Sequence, residues 1–110
     1  MAIEALQIAT AIADMQSKRA LVIGNVMLDQ FVEGTVDRIS PEAPVPILGM
    51  TDIWQMPGGA ANVACNLAHL GLGVGLIGTV CTDDTADMLA GELANVPAID
   101  FTPIPDATRQ

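Results

Sequence analysis

The segment Pro57-Gly58-Gly59-Ala60-Ala61-Asn62-Val63-Ala64 constrains this chain more than any other. Two glycines precede a helix-forming run in which nothing larger than Ala occurs before Asn62. The helix therefore begins at a point where backbone can come very close to something else. One reading is a ligand: the unpaired N–H groups of a first helical turn face an oxygen-rich molecule, and Asn62 supplies the first versatile side chain. The other reading is packing, with the alanines seated tightly on a sheet. The segment alone leaves both open.

The rest of the chain reads as α/β. Ile3–Gln16 has apolar residues at 5, 8, 12 and 15 and predicts an amphipathic helix. Ala20–Gly24 is a short apolar run closed by Gly, a buried strand, followed by an expected loop over Asn25–Asp29 and a half-exposed strand over Gln30–Val36. Arg38–Pro46 holds three prolines in six residues, so it predicts an extended, irregular connection flanked by an antiparallel pair that resumes over Ile47–Gln55. Gly59–Leu70 is a second helix closed by Gly71, and Val74–Thr79 a second buried strand. Thr82–Leu93 is a third helix capped by Asp83 or Asp84, and Ile99–Phe101 a last short strand before Pro103–Gln110 trails off. With 51% hydrophobic residues but only Phe31, Phe101 and Trp54 as aromatics, the core is aliphatic, as in helices packed on a parallel sheet. The fold class expected is a doubly wound, mostly parallel α/β sheet with a small β lid at residues 30–55 inserted after the first central strand.

Charge and cysteine usage narrow the partners. Four Lys and Arg against 13 Asp and Glu give a net charge of −9, which argues against nucleic acid and against an anionic membrane surface. The N-terminus lacks the charge and apolar pattern of a signal peptide, and no apolar run approaches membrane-spanning length. Cys65 and Cys81 are expected to be reduced thiols and the compartment cytoplasmic. No metal site is expected: Asp83, Asp84 and Asp87 are better explained by capping and the helix dipole, and His69 by its place near a helix C-terminus.

Three constellations remain as candidate chemistry. Gly24-Asn25-Val26-Met27-Leu28-Asp29 follows the first strand at the edge where open α/β sheets bind ligands. Asn25 and Asp29 there suit a polyol, or else bond their own turn. Arg38, the only Lys or Arg between Arg19 and Arg109, stands in the Pro-rich lid, where it either contacts a substrate phosphate or pairs with Asp37 or Glu42. Gly58, Gly59 and Asn62 form the third. Neither GxGxxG after the first strand nor GxxxxGK[ST] anywhere is present.

The order of GNVMLD, DRISPEAPVPIL, MPGGAANVACNLAHLG and VGLIGTV resembles the start of ribokinase-like carbohydrate kinases. The lid RISPEAPVP and the helix PGGAANVA are most similar to kinases of D-glycero-β-D-manno-heptose 7-phosphate, which in many bacteria form the first domain of a bifunctional kinase and adenylyltransferase. The resemblance runs from about Lys18 to Thr108 and covers about the first third of such a kinase domain. It implies that residues 1–110 are the N-terminal part of one kinase domain. Asn25, Asp29, Gly58, Gly59 and Asn62 would be sugar contacts and Arg38 a phosphate contact, with residues 30–55 the closing lid. Lids of this family often pair between subunits, so a homodimer through the lid is expected. ATP and Mg²⁺ would serve the full-length enzyme; the catalytic base and ATP site belong to later segments, so none of these residues is expected to be catalytic and neither cofactor is expected to bind here well. Cys81-Thr82-Asp83-Asp84-Thr85-Ala86 departs from the family by lacking its two glycines. A kinase for another sugar or nucleoside, and a non-catalytic truncated remnant, are the alternatives.

Overall fold

A computed structural model describes residues 3–108. In chain order the elements are α1 (Ala5–Met15), β1 (Arg19–Ile39), β2 (Pro46–Gly59), α2 (Ala60–His69), β3 (Gly73–Val80), α3 (Asp84–Ala94) and β4 (Ile99–Pro105). The strands lie in the order β2-β1-β3-β4. β1, β3 and β4 are parallel, and β2 runs antiparallel to β1. The mostly parallel α/β sheet and the antiparallel lid are as expected.

β1 corrects one expectation. The loop placed over Asn25–Asp29 is strand, part of a single 21-residue run. Its first part, Arg19–Asn25, pairs with Gly73–Thr79 of β3; from Val26 onward it pairs with β2, beginning opposite Gly59. The backbone passes from one ladder to the other without losing its hydrogen bonds, so nothing forces a turn. Gly24, read as a strand end, is instead a packing position: a Cβ there would meet the Ala60 Cβ at 3.3 Å. The lid ribbon is also longer than residues 30–55, spanning Val26–Gly59 with register shifts at Glu33/Gly34 and Val36/Arg38. Its tip is the Pro-containing turn, where Ser40 N–H donates to the Val45 carbonyl at 2.8 Å. β4 likewise extends past Phe101 to Pro105, so the end expected to trail off from Pro103 is strand at first. The last two residues of that stretch, 109 and 110, lie outside the described range.

The core lies on one face of the sheet. Val26, Val74, Leu76 and Val80 from the strands meet Ala61 and Ala64 of α2 and Leu89 and Leu93 of α3. The alanines of α2 let its axis lie close to the strands, so the packing reading of that helix holds for its inner side. Gly71, at φ 102°, ends α2: its N–H donates to the Ala68 carbonyl and that of Leu72 to the Leu67 carbonyl. This is a Schellman closure. Asp83 caps α3, its carboxylate accepting from Thr85 N–H at 3.1 Å and Ala86 N–H at 3.4 Å. The opposite sheet face leaves Leu21 and Ile23 63% and 71% exposed, and α1 buries none of its residues. Among the described residues no helix is long and apolar enough to cross a membrane.

Candidate sugar-binding site

The candidate residues gather where β1 leaves the parallel sheet and enters the lid. Side chains alternate along a strand. The even-numbered residues of β1 from Ala20 to Leu28 face the helix-covered core, which puts Asn25, Met27 and Asp29 together on the other face. β2 returns alongside, with Gly58 opposite Met27 and Gly59 opposite Val26. Gly58 is thus the diagonal neighbour of Asp29, and a Cβ built on it would lie 2.6 Å from the Asp29 carboxyl carbon. The space at Gly58 is the space the carboxylate uses.

Gly59 has a different constraint. It is the N-cap of α2 with φ 60° and ψ −132°, a backbone state that L side chains rarely adopt. Its Cα also faces the Asn25 carbonyl oxygen, which a Cβ would approach to 2.5 Å. The glycine pair therefore serves both the strand-to-helix corner and the close approach to β1. The first turn of α2 begins there, next to Asn25 and Asp29, with its N–H groups at the helix start.

Sequence reasoning missed Thr79. It is the ladder partner of Asn25 on β3, and its hydroxyl donates to Asn25 Oδ1 at 3.5 Å. The signal was available in part: Thr79 is the one polar side chain of an otherwise Gly and aliphatic strand. Only the parallel register, however, sets it against Asn25.

Two expected residues stand apart from this group. Asn62 is exposed on α2 and lines a cavity of about 390 Å³ with Met56, Pro57, Cys65, Asn66 and His69, toward α3. Arg38 lies near the lid tip beside Asp37, Ile47 and Gly49. It is nine residues beyond Asp29 on one strand, about 30 Å at the usual rise. Within one chain it does not reach the site.

The thiols of Cys65 and Cys81 are free, both half-buried, and burial raises the pKa of Cys65. Among the described residues, no group of three His, Cys, Asp or Glu side chains could hold a metal ion.

A model of the family described as "pfkB family carbohydrate kinase" matches residues 17–103, which contain every element from β1 to β3, α3 and most of β4. This chain belongs to that family. The protein named "Bifunctional protein HldE" of Granulibacter bethesdensis is 54% identical over 86 residues, 78% of this chain and 18% of its own length. Its namesake in Hyphomonas neptunium is 65% identical over 69 residues, 63% of this chain and 14% of its own. Among solved structures, a carbohydrate kinase from Agrobacterium tumefaciens superposes with a TM-score of 0.63 at 26% identity, over 84% of this chain and 29% of that one. The fold is ribokinase-like. The chain spans a fifth or less of the length of these curated relatives.

Proposed function

We propose that this chain is the sugar-binding, N-terminal portion of an ATP-dependent carbohydrate kinase acting on D-glycero-D-manno-heptose 7-phosphate. The complete enzyme would transfer the ATP γ-phosphate, with Mg²⁺, to the anomeric hydroxyl, in the cytoplasm, on the route to the ADP-heptose of lipopolysaccharide. The observation that carries the reading is the convergence of Asp29, Gly58, Gly59 and Asn25 at the mouth where strand, lid and helix start meet. A carboxylate and an amide beside a helix N-terminus offer acceptors and donors to adjacent hydroxyls. The choice of heptose 7-phosphate rests on the similarity of RISPEAPVP and PGGAANVA to kinases of that sugar.

Arg38 joins Asn25, Asp29 and the Gly59 helix start as a phosphate contact delivered by a second copy of the lid, whereas Asn62, which lines the cavity toward α3, is left out of the contact set. The stacked Phe31 and Trp54, 43% and 42% exposed on the ribbon, support such a lid-to-lid homodimer. The base and the nucleotide site belong to parts of the kinase outside these residues.

Calorimetric titration with heptose 7-phosphate, fructose 6-phosphate and ribose tests the reading. Tightest binding to heptose 7-phosphate is expected, and Asp29→Ala should weaken it about tenfold or more, the value of a hydrogen bond to a charged group. Equal affinity for ribose would reassign the sugar. Heptose-dependent ATP consumption by residues 1–110 alone would contradict the assignment of the chemistry to another part of the enzyme.

A further inference from the structure

Gly58 is buried while its diagonal neighbour Asp29 is exposed, and the two compete for one volume. A Cβ on Gly58 would stand 2.6 Å from both Cγ and Oδ1 of Asp29 and closer still to Oδ2. No real side chain tolerates such a contact, so one of the two must yield. The obstructing atoms are the end of an exposed, rotatable side chain. An alanine at 58 is therefore accommodated by swinging the carboxylate away, with the backbone unmoved.

Gly59 shows the contrast. There the obstruction is the Asn25 backbone carbonyl, and φ is 60°, so any side chain strains the corner itself. The adjacent glycines thus have separate tasks. We propose that Gly58 is a positioning residue for Asp29: it holds open the slot into which the carboxylate leans, and it acts on the sugar through that carboxylate, without contacting the sugar itself. The inference rests on the sugar-site reading above and gives Gly58 a role that a simple glycine cradle does not.

The test is a double-mutant cycle in this chain with Gly58→Ala, Asp29→Ala and the two combined. Heptose 7-phosphate affinity is measured by titration, and the Asp29 χ1 rotamer by NMR three-bond couplings, which need no ligand. Gly58→Ala should keep its fold and melting temperature, shift the Asp29 rotamer and lose about tenfold or more in affinity, as Asp29→Ala does. The double variant should bind no more weakly than Asp29→Ala.

Multiplied losses in the double variant would mean that Gly58 touches the sugar, and would overturn the proposal. So would an unchanged rotamer, or loss of the fold in Gly58→Ala. If instead Asp29→Ala binds like the parent, or the parent binds no sugar phosphate, the sugar-site reading falls and the rotamer measurement alone decides the role of Gly58.

Discussion

At the scale of single residues, the site depends on which groups share a strand face. The Thr79 hydroxyl meets Asn25 Oδ1 across the parallel ladder and so constrains how the amide is turned. Thr79→Val keeps the shape and β-branching and removes only the hydroxyl. It should weaken sugar binding several-fold, in line with one neutral hydrogen bond of about 1 kcal/mol, and Thr79→Ser should restore it. Titration of both variants beside Asn25→Ala checks this. Cys65 offers a pH prediction. Burial disfavours its thiolate, so its pKa lies above the ordinary thiol value. Its alkylation by iodoacetamide should accelerate only at a pH above that of an unhindered thiol, as followed by mass spectrometry. The sign also holds for stability: this contribution is complete at neutral pH and fades as alkaline pH passes through the raised pKa.

At the scale of elements, the caps were legible and the strand ends were not. Asp83 near the start of Thr82–Leu93 and Gly71 after Gly59–Leu70 signal helix boundaries by local chemistry, and both hold in the structure. Asp83→Ala should cost about 1 kcal/mol in chemical denaturation, while Asp83→Asn should be nearly neutral, since Asn also caps. Gly24 misled because glycine marks both a chain turn and a close contact. Nothing in Gly24-Asn25 alone says that Ala60 will pack against that Cα or that a second ladder will begin at Val26. The prolines located the lid tip correctly, because Pro excludes helix and central strand whatever surrounds it. The lid's length depended on its partner strand and was underestimated.

At the scale of the molecule, the sheet is covered on one face only. The radius of gyration is 19.1 Å, against about 13 Å for a compact domain of this length, because the lid projects from a small core. Among the described residues that core contains eight buried apolar side chains, with Leu76 and Val74 the largest fully buried. Leu76→Ala should therefore cost about 2–5 kcal/mol, a large part of the stability of any domain, and the loss should appear as a lowered denaturant midpoint. Leu21 and Ile23 on the uncovered face should drive concentration-dependent self-association in light scattering. Ile23→Ser should reduce it without touching the buried core.

The α/β class, the order of elements, the Pro-rich lid and the candidates Asn25, Asp29, Gly58 and Gly59 are all legible in the linear chain. These follow from hydrophobic period, proline and glycine stereochemistry and motif order, all of which act over a few residues. Folding itself sets Asp29 into the space at Gly58 and Thr79 against Asn25. It also put Asn62 toward α3 and carried Arg38 about 30 Å from Asp29 along its strand. Those relations join residues distant in the chain through strand register, and register is set by the pairing of whole strands across a buried face.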